Sequence, residues 1–321
     1  MRIGLVDVDA ESRGKVTYPN LALMKISAYH KRHGDTVEWY SPLLSGHMDV
    51  VYLARVFGDE YTRDYNWPVD ADRVITGGSG YAITVEGGRE VYHPERDPPL
   101  PPEIEAASPD YSIYEQYGLT DTAYGFLTRG CPRACFFCHV CAMQGRKVRT
   151  VARLRDFWDG QKHISLLDPN LTCSRDWPMH IRDLADSRAL VDFTQGLDIR
   201  AMTPDKCDDL NAVRWERIHF AWDRPEEDNT ERFRVVMDRL KRARKETVSA
   251  YVLTNAGSTH EQDLWRVETL RSLGITPYVM IYRKQTAPPI TRKLQRYTNS
   301  PMIFWQLNNF DEYQRNEGDI T

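Results

Sequence analysis

GFLTRGCPRACFFCHVC, residues 125–141, holds four of the chain's six cysteines, three of them at Cys131, Cys135 and Cys138 in a C-x3-C-x2-C spacing. An apolar run at 122–127 leads into it and reads as a strand. Arg129, Gly130 and Pro132 then force an irregular loop, because glycine is permissive and proline cannot continue a ladder. Three thiolates on one short loop can wrap one face of a metal centre. Iron–sulfur clusters are held by such thiolates, whereas a structural zinc site wants a fourth ligand, which Cys141 or His139 would have to supply. Cys141 extends the run by another C-x2-C and reads as a spare thiol.

The spacing resembles the signature of the radical S-adenosylmethionine (radical SAM) superfamily, C-x3-C-x-Φ-C, with Phe137 at the aromatic position. The resemblance implies that Cys131, Cys135 and Cys138 bind three irons of a 4Fe–4S cluster and leave the fourth iron to the amino and carboxylate groups of SAM. It further implies an enzyme that cleaves SAM reductively. The resulting 5′-deoxyadenosyl radical takes a hydrogen atom from an unknown substrate, and a flavodoxin or ferredoxin serves as electron donor.

Composition bounds the remainder. The chain has 321 residues, 41% hydrophobic and 27% charged, the profile of a globular protein of one large or two ordinary domains. A net charge of −4 and a pI near 6.2 do not indicate a nucleic-acid binder. No apolar run approaches the roughly 20 residues of a membrane span. The start, MRIGLVDVDAE, enters a strand without a signal-peptide layout. Six cysteines, three of them clustered, fit a reducing cytoplasm better than a disulfide framework.

Upstream of the cysteines, residues 2–8, 35–40, 49–57 and 72–76 read as strands, with a helix over 21–33 capped by Asn20. The fourth strand runs into Gly77-Gly78-Ser79-Gly80. Residues 86–120, with PERDPPLPPE at their centre, read as a linker. The expected organisation is therefore a small Rossmann-like domain at 1–85, a linker at 86–120 and a catalytic domain at 121–321. The first domain resembles the cobalamin-binding domain that precedes many radical SAM domains, in a truncated form. No D-x-H-x-x-G is present, so cobalamin is not favoured and a structural role is.

Downstream, strands at 163–167, 191–195, 217–222, 247–253 and 275–281 alternate with helices at 177–187, from Thr203-Pro204, at 226–245 and at 260–273. With the strand before the cysteines they make six β/α units, an α/β chain that matches the partial (β/α)6 barrel of the radical SAM fold. Barrel chemistry sits at the C-terminal ends of strands. Polar residues gather there: Asp168, Asn170, Gln195, Asp198, Arg200, Asp223, Asn255, Tyr282 and Arg283. Each also reads as a turn or cap residue. By the resemblance, Phe137 packs on the adenine, Asp168 and Asn170 face the SAM amino end, and Gln195, Asp198 and Arg200 are further cofactor contacts. Asp198 and Arg200 would take the ribose and the methionine carboxylate. The family's Gly-Gly-Glu run is DPN here. The aromatic tail at 300–313 reads as core, with fraying beyond Tyr313.

Two other function classes remain open on the sequence: a cobalamin-dependent radical SAM methyltransferase, and a non-catalytic iron–sulfur or zinc-binding protein.

Overall fold

The computed structural model describes residues 1–318, which divide into two compact units: Met1–Tyr124 with Arg155–Gln161, and Gly125–Leu154 with the chain from Lys162 onward. Among the described residues no helix is long and apolar enough to cross a membrane.

In the first unit, β1 (Arg2–Asp7), β2 (Thr36–Trp39), β3 (Met48–Ala54) and β4 (Ala71–Gly77) form a parallel sheet in the order β2-β1-β3-β4. The central strands β1 and β3 are nearly continuous in buried residues, as strands covered on both faces must be. The helix Leu21–Arg32 starts where expected: the Asn20 side chain accepts the Leu23 N–H at 3.2 Å. Its Leu23 and Ile26 join Ile3, Leu5 and Val50 in the core. Strand order reverses between β1 and β3, the point at which doubly wound sheets bind ligands.

Residues 86–120 are not a linker. β5 (Ile83–Glu86) and β6 (Arg89–Tyr92) form an antiparallel hairpin. The helix Pro102–Glu105 places Ile104 in the core, and the turn Tyr111–Tyr117 buries Tyr114 completely. Proline and glycine bound short elements here: Pro102 fills the first helical turn, and Gly87 and Gly88 supply the hairpin turn with φ of 54° and 73°. Packing then comes from isolated large side chains that composition does not reveal.

β7 (Thr122–Gly125) ends the first stretch of the first unit and leads into the second, where β10 (His163–Leu166) and β11 (Leu190–Phe193) pair in parallel. Two short strands, β8 (Thr128–Arg129) and β9 (Arg149–Thr150), pair antiparallel. A second, parallel sheet runs β12 (Leu197–Asp198), β13 (Ile218–Ala221), β14 (Val248–Thr254), β15 (Thr276–Ile281). The strand expected at 191–195 is thus divided. β11 ends at Phe193, and Gly196, at φ 78°, turns the chain into the other sheet. Helices Thr230–Arg239 and His260–Ser272 cover the face that carries Phe220, with Phe220 edge-on to Phe233.

Two expected boundaries move. The helix foreseen at 226–245 spans only Thr230–Arg239. Leu240 takes an extended backbone and is buried, and the cationic run KRARK that follows repels itself at helical spacing. The tail does not fray at Tyr313: the helix Phe310–Gly318 continues, with Phe304 and Phe310 fully buried as core. Residues 319–321 lie outside the described residues.

Candidate active site

The β8–β9 pairing closes the base of the cysteine loop. Inside it, Cys131 N–H donates to Gly145 O at 3.1 Å and the Cys141 thiol donates to Cys131 O at 2.9 Å. Cys141 is therefore bonded to the loop's own backbone. Gly130 has a chemical reason: at φ 96° a Cβ there would stand 2.3 Å from Lys147 O. Ala134 is held in the left-handed region at φ 48° immediately before Cys135, a strain of the kind found at functional loops.

Asp168 is buried beneath this loop. Its carboxylate accepts from Leu127 N–H at 3.1 Å and from Thr128 N–H and Oγ1–H at 2.5 and 2.6 Å. Burial pushes its pKa up to about 6 against those bonds. Asp168 was expected to face the SAM amino end; here its carboxylate braces the chain that enters the loop.

Asn170 lies between the cysteine loop and Asp198. Its Oδ1 accepts from Cys173 N–H at 3.2 Å, while its Nδ2 donates to Cys131 Sγ at 3.4 Å and to Asp198 Oδ2 at 3.1 Å. Asp198 is the centre of a charge network. Oδ2 also accepts from Arg133 Nε at 2.5 Å, and Oδ1 accepts from Arg200 N and Nε at 3.1 and 2.9 Å. Burial raises the Asp198 pKa, yet the Arg200 and Arg133 guanidiniums outweigh it and hold the carboxyl below its usual range. Arg200 reaches onward to Glu227 at 3.6 Å. Arg133 and Glu227 were not singled out from the sequence. A cation placed between the first two cysteines was the available signal for Arg133.

Cys135 and Cys138 sense their neighbours. Cys138 is pushed up by burial, then by Cys135, Cys131 and Cys141. Cys135 is pushed up by burial, with Arg200 pulling down and Asp223 pushing up. Among the described residues no three His, Cys, Asp or Glu side chains converge on a single ion. Thiolates that each take a different iron of one cluster need no such convergence. Three thiols on one loop beside two guanidiniums are a donor set that fits an iron–sulfur cluster.

From this end a cavity of about 820 Å³ runs along the inner face of the β12–β15 sheet. Phe137, Gln195 and Asp223 are among the residues that line it. Phe137 sits with Phe136 and Tyr282 at centroid distances of 5.4 and 6.5 Å. Burial raises Asp223 to about 6 against the pull of Arg200 and Arg266. Asn255 and Arg283 serve as left-handed turn residues, at φ 58° and 49°, and Asn255 Nδ2 donates to Tyr282 O at 2.8 Å. Sequence reading also missed Arg266. Fully buried, it donates to Trp222 O and Leu253 O at 2.7 and 2.9 Å and so fixes the ends of β13 and β14.

The corresponding edge of the first unit is closed on itself. Asp9 accepts from Val56 N–H, Phe57 N–H and Thr62 Oγ1 at 2.6, 3.2 and 2.6 Å. Asp7 accepts from Ala10 N–H and from the Tyr114 hydroxyl at 3.1 and 3.0 Å. The glycines after β4 allow close approach to the chain's own backbone: a Cβ on Gly78 would lie 2.4 Å from Arg55 O, and one on Gly80 2.5 Å from Phe57 O.

No protein-family model and no curated protein matches the sequence. Solved structures do match. One is the radical S-adenosylmethionine methyltransferase TsrM from Kitasatospora setae with cobalamin and a [4Fe-4S] cluster bound. It matches at TM-score 0.59 and 12% identity over 87% of this chain and 74% of that one. Another is TsrM with tryptophan substrate and the SAM analogue aza-SAM bound, at TM-score 0.58 and 14% identity over 87% and 72%. The chain shares that fold. A share of 87% is more than the second unit contains, so the likeness reaches into the first. The neighbour binds cobalamin, which runs against the expectation that disfavoured it.

Proposed function

We propose that the chain is a radical SAM enzyme. In this reading the second unit acts as a partial (β/α)6 barrel, and Cys131, Cys135 and Cys138 hold a 4Fe–4S cluster. The cluster, when bound, supplies the electron that cleaves SAM reductively, drawn from a flavodoxin or ferredoxin in the cytoplasm. The observation that carries the reading is Asn170 Nδ2, which bonds both Cys131 Sγ and Asp198 and so ties the thiol loop to the strand-end network.

Each residue then has a task. Asp198 positions Arg133 and Arg200, and Asn170 orients Cys131 and offers polarity to the SAM amino end. Arg200 pairs with the methionine carboxylate, for which a guanidinium fork is suited. Phe137 packs on the adenine and Gln195 takes a cofactor hydroxyl at the cavity's rim. Asp168 holds the loop in place.

A second reading has its own support. The likeness to TsrM extends beyond the second unit, and that enzyme carries cobalamin. In this reading the chain is a cobalamin-dependent methyltransferase, and the closed edge of the first unit opens or is bypassed on binding. One experiment separates the two. Protein reconstituted anaerobically with iron and sulfide is incubated with SAM and dithionite, with and without hydroxocobalamin. 5′-Deoxyadenosine independent of cobalamin supports hydrogen abstraction. S-adenosylhomocysteine that requires cobalamin supports methyl transfer. Iron and sulfide bound but neither product formed leaves a non-catalytic iron–sulfur protein.

A further inference from the structure

The cavity on the inner face of the β12–β15 sheet follows the strand direction, and its two ends differ. Along β13 its lining takes every second residue from Asp223 back to Arg217, and along β14 it extends from Leu253 back to Lys245. Six residues of extended strand advance about 20 Å. Asp223 marks the end toward the cysteines, since Cys135 feels its charge. Arg217 and Lys245 precede Ile218 and Val248, where two parallel strands begin, and so stand at the opposite end.

Most polar groups at that opposite end already have partners. His219 Nδ1 and Ser249 Oγ bond each other at 2.5 Å. The Thr247 and Thr276 hydroxyls donate to Arg242 O and Lys245 O at 2.7 and 2.6 Å. Glu246 pairs with Arg244 Nε at 3.7 Å. Arg217 and Lys245 are left over. Among the described residues neither meets a carboxylate, although both line the cavity. Lys245 Nζ lies over the Trp305 ring at 5.2 Å, and the Trp305 Nε1–H donates to Thr276 Oγ1 at 3.0 Å, so the aromatic wall beside this cation is fixed. Burial lowers the His219 pKa, Asp192 opposes that and Arg217 adds to it. His219 is therefore neutral at pH 7 and acts there as a hydrogen-bonding group. Two unpaired cations in one cavity, in a chain of net charge −4, call for an anion. A guanidinium and an ammonium both suit carboxylate or phosphate oxygens.

We propose that the cavity takes an elongated substrate with an anionic end group, carboxylate or phosphate, held by Arg217 and Lys245 about 20 Å from the end where the cysteines stand. The inference rests on the reading of the second unit as a radical SAM enzyme, and names the substrate class for that site. A compact substrate would reach one end only. An end group far from the reacting carbon supplies binding energy that positions the remainder of the molecule.

The test is probe binding to reconstituted protein, followed by saturation-transfer NMR. N-acetylhexaglycine spans about 20 Å when extended and ends in a carboxylate. N-acetylhexaglycinamide has the same chain without the charge, and N-acetyldiglycine has the charge without the length. The hexaglycine acid is expected to bind about tenfold more tightly than its amide, a preference that about 0.5 M salt removes. It is also expected to bind more tightly than the diglycine. Arg217→Gln and Lys245→Gln should each reduce the preference for the acid, and the two together should abolish it. Arg244→Gln, at a neighbouring cation that does not line the cavity, should leave it unchanged. Methyl phosphate and acetate as competitors identify the end group: stronger displacement by methyl phosphate assigns a phosphate, equal displacement a carboxylate. Equal binding of acid and amide, equal binding of the two chain lengths, or a loss in Arg244→Gln as large as in the double variant overturns the inference. A wild type that cleaves SAM yet shows no preference for the acid removes the inference and keeps the enzymatic reading. A wild type that prefers the acid through Arg217 and Lys245 but neither binds nor cleaves SAM removes the enzymatic reading and keeps the anion site.

Discussion

Asp9 in the first unit and Asp168 in the second solve one problem in the same way. Each follows a parallel strand, is almost fully buried, and accepts two backbone N–H groups and one threonine hydroxyl from a neighbouring connection. Asp198, at another strand end, differs from both. Its partners are two guanidiniums and an amide that also reaches a cysteine sulfur. The difference teaches that an acid at a strand end is not itself a sign of a site. What distinguishes the candidate edge is that the partners are charged side chains and that a cavity opens beside them.

The largest effect expected is all-or-none. Cys131→Ala, Cys135→Ala or Cys138→Ala should each remove the iron–sulfur chromophore on anaerobic reconstitution. Cys141→Ala should keep about four irons and four sulfides, because its thiol serves a backbone carbonyl. Loss of iron in Cys141→Ala alone would break the three-cysteine assignment.

Next come the matched braces. Asp9→Ala and Asp168→Ala each leave three donors without their acceptor, all of them buried at Asp168 and only the Thr62 hydroxyl fully so at Asp9. Buried groups of this kind cost about 1–3 kcal/mol each, so at least about 3 kcal/mol of stability is expected to be lost in Asp168→Ala and less in Asp9→Ala. Chemical denaturation reads it out. If Asp168→Ala folds with wild-type stability but loses SAM, the carboxylate contacts cofactor and the equivalence of the two aspartates fails.

Much of this was legible in the sequence because it is local. The cysteine spacing, the Asn20 cap, the Thr203-Pro204 helix start and the run of strands are all set by neighbours within a few residues. What was not legible depends on distant partners. Nothing near Asp168 says that its carboxylate will meet Thr128, and nothing in a proline-rich run at 86–120 says that Tyr114 will reach Asp7. The change of sheet at Gly196 was hidden for the same reason: the turn is local, but the sheet that β12 joins is chosen by β13. Arg133 could be seen only as part of a loop until Asp198 was brought to it.

The third effect is smaller and belongs to the open edge. Arg200→Ala and Asn170→Ala should weaken SAM binding about tenfold or more while the cluster stays. A hydrogen bond to a charged group contributes on the order of 1.5–3 kcal/mol, and each 1.4 kcal/mol is tenfold in affinity. Equilibrium dialysis of labelled SAM against reconstituted protein reads the change. Wild-type affinity in both variants would place SAM away from the Asp198 network and remove the contrast with Asp9.

The smallest effect tests the closed edge. Tyr114→Phe deletes one hydroxyl that donates to Asp7 Oδ2 at 3.0 Å and accepts the Asn20 N–H at 2.8 Å. Asp7 keeps its bond from Ala10 N–H, so the loss is partial, about 1–2 kcal/mol at neutral pH. The pH dependence gives the mechanism. Burial raises the Asp7 pKa above its ordinary value, while the Ala10 and Tyr114 bonds pull it down. A carboxyl with a raised folded pKa costs stability as pH climbs from the unfolded value through the folded one. Without the Tyr114 hydroxyl the folded pKa rises further, so the ionised form is penalised more in the variant than in the wild type. The deficit of Tyr114→Phe in urea unfolding should therefore be larger at pH 7 than at pH 4. A deficit that is the same at both pH values would mean that the hydroxyl serves Asn20 alone, and that the carboxylate at this edge is held by its own turn.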